Sequence, residues 1–243
     1  AGSGTFNPTT ITGTVGSYKV KASYTSGSDT FTGLTDAISL TAGPAAKYLV
    51  TVDVAGPVAG ATVTASAQLA DAQGNAVAES GRQVDWSETN LVDVGSFAAP
   101  GYSSTDGSGI ATIVFTSNTT SNVATAIVAT DHATVSITGT SGTVTTTWGA
   151  LHHFTKTAQY TTTASGVSKA SNITFEARDS NNNRVENFTG TVGLSVVTTA
   201  GGVTSDASIS GTTSVAFSAG SGTFNPTTIT GTVGSYKVKA SYT

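Results

Sequence analysis

Two short loops gather the oxygen-rich residues of this chain. One reads Asp71-Ala72-Gln73-Gly74-Asn75 and the other Asp179-Ser180-Asn181-Asn182-Asn183. Asp and Asn oxygens are hard ligands, so each loop could contribute to a calcium site. The same residues also build turns. Their side chains accept from nearby backbone N–H groups, and Gly or Asn takes a position of positive φ. Neither loop has the alternating Asp-x-Asp-x-Asp-Gly spacing of a calcium loop or a closing Glu. The turn is the expected role and calcium the alternative.

The remaining candidates are sparse. His152 and His153 are adjacent, but successive side chains of a strand point to opposite faces, so the pair is not expected to chelate one ion. His132 stands in a loop beside Asp131, and no Gly-x-Ser-x-Gly elbow marks a serine nucleophile. Asn118, Asn172 and Asn187 each lie two residues before a Thr, the acceptor pattern for N-glycosylation. Trp86 and Trp148 could line a sugar site. Trp86 alternates in phase with Val84, which assigns it to a core, and Trp148 precedes a glycine at a repeat boundary, where packing between domains is expected. Lys19 and Lys21 alternate outward and are poorly placed for an isopeptide crosslink. No catalytic, cofactor-binding or metal-ligating residue is assigned, and no enzymatic activity is expected.

The elements that position these residues repeat with period 2. Ala61, Val63, Ala65, Ala67 and Leu69 alternate with Thr62, Thr64, Ser66 and Gln68. Tyr18, Val20, Ala22 and Tyr24 alternate with Lys19, Lys21 and Ser23, and Ile173, Phe175 and Ala177 with Thr174, Glu176 and Arg178. This is the pattern of strands with one buried face. Turn signals at Gly74-Asn75, Asp106-Gly107, Gly201-Gly202 and Gly220 to Gly222 divide the strands at the short spacing of an all-β sandwich.

Residues 219–243 repeat residues 1–25 letter for letter. The chain therefore holds one full period of a tandem repeat and the start of the next. A weaker duplication lies within the period. Residues 24–48 align on 130–154, and Asp71, Asn75 and Val77 align on Asp179, Asn183 and Val185. The expected domains are residues 1–42, the last strands of one sandwich; 43–148, a complete sandwich; and 149–243, a sandwich lacking its last strands. The boundaries are short, which favours a semi-rigid rod.

Only 10% of residues are charged and the net charge is -4, which gives no electrostatic case for nucleic acid. No apolar run is long enough to span a bilayer as a helix, so membrane insertion is not expected. Cys and Met are absent. Cys-free, Thr-rich, acidic chains are common among large exported bacterial surface proteins.

The segments GATVTASAQLADAQGNAVAESGRQVDWS and STDGSGIATIVFTS resemble the bacterial immunoglobulin-like domains of invasins and intimins. The segments ITFEARDSNNNRVENFTGTVGLSV and GSYKVKASY look like a diverged relative. The letter-perfect repetition is similar to that of giant repetitive adhesins that hold cells in biofilms. The resemblance implies tandem immunoglobulin-like antiparallel β-sandwiches on the cell surface, acting as a structural extender that projects an adhesive domain. A surface-layer or filament subunit is the alternative. The expected partners are neighbouring identical repeats, with residues 26–42 of one copy donated head to tail to residues 149–243 of the next.

Overall fold

The computed structural model describes residues 4–7, 9–92, 95–170 and 172–242. It contains strands and turns and, among the described residues, no helix. The chain forms two compact units. The first comprises residues 1–55, 62–117 and 124–144; the second comprises 56–61, 118–123 and 145–243.

The first unit is built on two four-stranded antiparallel sheets. One has the order Lys47–Val52, Thr62–Ala70, Ile110–Thr116, Ser96–Phe97. The other has the order Thr138–Thr140, Ile127–Asp131, Gln83–Glu88, Tyr102–Ser104. The alternation read from the sequence decides which side chains meet. Val63, Ala65, Ala67 and Leu69 turn inward, and Val114 faces out between the buried Ile113 and Phe115. From the opposite sheet Val84, Trp86, Ile127 and Ala129 complete one core, in which Phe97 lies 5.0 Å from Phe115, centroid to centroid. This is an antiparallel β-sandwich, the fold class that period 2 predicts. Trp86 is part of its core, and its Nε1–H donates to Ser103 Oγ at 2.8 Å.

Residues from the N-terminal segment add two small sheets to this unit. Gly16–Tyr18 pairs with Ile38–Leu40, and Lys21–Ser26 forms a hairpin with Asp29–Leu34. Gly27 supplies a φ of 61° at the tip of that hairpin. On its face, Tyr24 is paired with Phe31, and the two are 68% and 61% exposed.

The second unit has three three-stranded sheets. Their orders are His153–Ala158, Ile173–Arg178, Ser221–Phe224; Ser168–Lys169, Thr227–Gly231, Ala207–Gly211; and Ser214–Ala216, Thr191–Thr198, Tyr236–Ser241. They surround Ile173, Phe175, Ala177, Val185, Val192, Leu194, Phe217 and Phe224. Phe154, Phe188 and Phe217 meet edge to face with centroids 5.5–5.7 Å apart, an arrangement suited to the ring quadrupole.

The first core is small and rich in alanine, so each large side chain carries much of its stability. Burial of Phe115, Leu69, Ile127, Val63 and Val84 contributes about 2 kcal/mol apiece. Phe115→Ala should therefore destabilise the first unit by about 4 kcal/mol, read as a shift in the urea midpoint at unchanged slope. Leu49, exposed on an outer face, should tolerate Ala with a change under about 1 kcal/mol.

Candidate functional site

The two Asp–Asn loops have one geometry. Asp71 is 2% exposed and Asp179 is 1% exposed. Asp71 Oδ1 accepts from the backbone N–H of Gln73 at 3.0 Å and of Asn75 at 2.8 Å. Asp71 Oδ2 accepts from Gly43 N–H at 2.9 Å and from Asn75 Nδ2 at 2.9 Å. In the second unit Asp179 Oδ1 accepts from Asn181 N–H at 2.9 Å and Asn183 N–H at 2.8 Å. Asp179 Oδ2 accepts from Gly149 N–H at 2.8 Å and Asn183 Nδ2 at 3.1 Å.

The backbone explains why both sequences take this shape. Each loop is closed by two main-chain bonds: Asp N–H donates to Asn75 or Asn183 C=O at 2.9 Å, and Gly74 or Asn182 N–H donates to the Asp C=O at 3.0 or 3.1 Å. The residue before the Asn needs positive φ. Gly74 takes 90° and Asn182 takes 66°, residue types for which that conformation is accessible. With four N–H donors around each carboxylate, both oxygens already face hydrogen-bond partners. That geometry supports the turn role over a calcium role.

Each Asn then reaches a further loop. Asn75 Nδ2 donates to Gly13 C=O at 2.9 Å, and Asn75 Oδ1 accepts from Val15 N–H at 3.0 Å. Asn183 Nδ2 donates to Thr119 C=O at 2.9 Å, and Asn183 Oδ1 accepts from Ser121 N–H at 2.9 Å. The loop is thus a clamp with two grips. The Asp carboxylate holds Gly43 or Gly149, the first residue of each expected sandwich, and the Asn amide holds the main chain of residues 13–15 or 119–121. Sequence reading found the loops but missed the second grip. The available signal was that residues 13–15 and 119–121 share the 106-residue offset of the internal duplication.

The donors set the electrostatics. Hydrogen bonds from Asn75, Gly43 and Gln73 hold the Asp71 carboxyl down to about 2. Burial pushes Asp179 up, but the N–H groups of Gly149, Asn183 and Asn181 outweigh it and hold the carboxyl below its ordinary range.

A second buried carboxylate lies in the first unit. Asp131 accepts from Tyr48 O–H at 3.1 Å, Arg82 Nε–H at 2.8 Å and Thr134 N–H at 2.7 Å. Burial opposes its charge, yet the Arg82 guanidinium and these donors keep it lowered. Burial and the neighbouring Asp131 push the Tyr48 phenol up to about 12. These bonds tie Tyr48, Arg82 and Thr134 to one carboxylate, and the group acts as a brace. The aligned Phe154 lacks the hydroxyl, so the second unit cannot build it.

The histidines are placed differently from expectation. His152 Nδ1 and His153 Nδ1 lie 3.2 Å apart, with the rings edge to face. Alternation does not apply because the strand begins at His153, while His152 precedes it with its N–H on Arg178 C=O. His132 pairs with Asp85 at 2.8 Å. None of the three rings bonds a hydroxyl among the described residues. Trp148 packs against the second core, and its Nε1–H donates to Asn187 Oδ1 at 3.1 Å. Asn172 Oδ1 accepts from Asn225 at 2.8 Å. Asn118 Oδ1 accepts from Thr120 N–H at 3.1 Å, so all three glycosylation-pattern amides are engaged with protein. Lys19 and Lys21 are exposed.

No protein-family model and no curated protein matches the chain. Solved structures that resemble it include FdeC, a broadly conserved Escherichia coli adhesin. It is 16% identical with a TM-score of 0.46, over 85% of this chain and 63% of that one. Invasin, a bacterial integrin-binding protein, is 16% identical with a TM-score of 0.47, over 93% of this chain and 42% of that one. The adhesin InvE of Yersinia pseudotuberculosis is 13% identical with a TM-score of 0.39, over 80% of this chain and 58% of that one. The chain thus spans 42–63% of the length of these proteins. These values are too low for a function to pass from them to this chain.

The clamp predicts a defined acid response. Asp71 has a lowered folded value, so its stabilisation is complete above its ordinary value of 3.8 and is lost as pH falls toward about 2. Wild-type protein should lose stability through that window, and Asp71→Asn should lose less there. Asp179→Ala at pH 7 should cost about 3 kcal/mol, because it strands buried N–H donors. Calorimetry across pH measures both.

Proposed function

We propose that this chain is a structural extender repeat of a large extracellular bacterial adhesin, projecting an adhesive domain from the cell surface in attachment or biofilm formation. The observation that carries the reading is a repeated joint. Residues 219–243 restart the sequence of residues 1–25, and within one period Gly43 and Gly149, the first residues of the two expected sandwiches, are each held by a buried Asp in the same geometry. A repeat with the same joint at every boundary lets length change by whole copies without altering any contact within a copy. The Cys-free, Thr-rich, acidic composition supports an exported location. The polar groups are spent on turns and braces, which supports a mechanical role over an enzymatic one. No cofactor enters this reading, because the loop carboxylates hold backbone N–H groups.

A second reading rests on a different observation. Tyr236–Ser241 is the edge strand of its sheet, next to Thr191–Thr198. Its sequence is that of residues 18–23, and the overlapping strand Lys21–Ser26 pairs with Asp29–Leu34. Unpaired strand edges invite strand addition. In this reading residues 26–42 of one copy complete residues 149–243 of the next, giving an extracellular filament or surface lattice. Such contacts are heterologous and do not close.

Arrays of one, two and four periods separate the extender from a compact assembly. The extender requires a radius of gyration, from small-angle scattering, that rises nearly in proportion to copy number and does not respond to a chelator. A radius that barely grows, or collapses on chelation, contradicts it. Strand exchange makes its own demand: deleting residues 1–42 should abolish self-association of the 243-residue chain. Undiminished polymerisation of the deletion variant rules that exchange out.

A further inference from the structure

The two adjacent histidines meet through their Nδ1 atoms, 3.2 Å apart. Consecutive residues inside a strand could not do this, because their side chains take opposite faces. His152 stands just before the strand His153–Ala158, with its N–H on Arg178 C=O, so alternation does not constrain its ring. The ring centroids are 5.4 Å apart. That is about the nitrogen separation plus two ring radii, so the Nδ1 atoms face each other across the gap. Neither ring makes another hydrogen bond among the described residues.

With both rings neutral, this contact is an N–H···N hydrogen bond: one ring carries its proton on Nδ1 and the other on Nε2. It is also a separation at which two imidazoles share a metal ion. Metal–nitrogen bonds of about 2.0–2.1 Å that span the 3.2 Å gap enclose an angle of about 100°. That lies between the right angle of a square-planar ion and the tetrahedral angle. Both lone pairs must turn toward the ion, by tens of degrees about the Cβ–Cγ bond, a torsion with a broad well. The Nδ1 proton of one ring passes through water to its own Nε2, so the neutral pair takes up the ion without net proton loss.

The donor set selects the ion. Calcium and magnesium take oxygen ligands, which this pair does not offer. Imidazole suits zinc, nickel and copper, and copper(II) binds tightest of the divalent series. Among the described residues no third His, Cys, Asp or Glu completes a metal cluster, so the other coordination positions are open to water or an outside ligand. Arg178, paired with His153 across the sheet, donates to Glu176 and to Asn182 C=O, which balances its charge in place.

The aligned pair in the first unit is Ala46-Lys47, where Ala46 N–H donates to Ala70 C=O as His152 N–H does to Arg178 C=O. Ala46 is exposed and Lys47 half-buried, as are His152 and His153. The first unit has its closing strands, Thr138–Thr140 and Val144–Thr145, and this corner stays open beside them. Access to the pair is therefore a property of the corner, whether or not those strands are in place.

We infer that His152 and His153 form a two-nitrogen chelate for a divalent transition-metal ion, with copper(II) preferred. The site stands apart from the extender reading, because its test follows metal on a single chain. Titration of the 243-residue chain with copper(II) alone, in a non-coordinating buffer, provides that test. Calorimetry should give one tight equivalent, and electron paramagnetic resonance should show couplings to two imidazole nitrogens. His152→Ala and His153→Lys carry the first unit's residues into this corner, so the metal-free variants should melt with wild type. Each should weaken copper binding about 10²-fold, the gain that linking two ligands supplies. His132→Ala should leave the affinity unchanged, and excess calcium should not displace copper. Wild-type spectra with a single nitrogen coupling overturn the inference. So does copper affinity that survives in both His152→Ala and His153→Lys, or that is lost in His132→Ala.

Discussion

A buried carboxylate that must be surrounded by N–H donors is the constraint on which the joints of this chain depend. An ionised group without partners is costly to remove from water. Asp71 and Asp179 become tolerable only because three backbone N–H groups and one amide converge on each. That requirement fixes the turn, sets the position of Gly43 or Gly149, and orients the Asn amide toward its second loop. Polar groups here do what a larger apolar core does elsewhere. With 28 glycines and strands full of Thr and Ser, the sheets have modest cores, and order at their ends comes from directional bonds.

The alternation of residues 61–69 was legible because a sheet with one wet face writes period 2 into the sequence. The sandwich core of the first unit, with Trp86 in it, follows from that pattern. The Asp–Asn loops were legible as turns because Gly74 and Asn182 occupy the one position that needs positive φ. Their reach to residues 13–15 and 119–121 was not. It depends on main-chain groups distant in sequence, and main-chain groups carry no signature in residue type. The brace of Tyr48, Arg82 and Asp131 was hidden for a similar reason, since its members come from separate strands and loops. His152 shows a smaller limit: alternation was applied one residue beyond the strand that justifies it.

The duplicated 25 residues give the plainest demonstration that context decides structure. Phe224 is completely buried, at the end of the strand Ser221–Phe224 paired with Ile173–Arg178. Phe6, in the identical sequence, is 83% exposed and outside any strand. Val238 and Ala240 pack on the second core, whereas Val20 is exposed. Intrinsic preference is the same in both copies, so the difference lies in the surface each has to pack against. The bond from a Tyr O–H to the Thr C=O four residues back, Tyr18 to Thr14 and Tyr236 to Thr232, survives in both because it closes over so short a span. Local hydrogen bonds are written into the repeat, and burial is supplied by its neighbours.

The central claim is that the Asn amides of the two clamps hold distant loops through their main chains. Amide hydrogen exchange of Val15 and Ser121 measures that most directly, since each N–H has its Asn side chain as partner. The account predicts that both exchange far more slowly than an open loop, with Ser121 sensitive to Asn183→Ala and Val15 to Asn75→Ala. Exchange of both amides at the rate of an unstructured peptide, unchanged by either substitution, would contradict it.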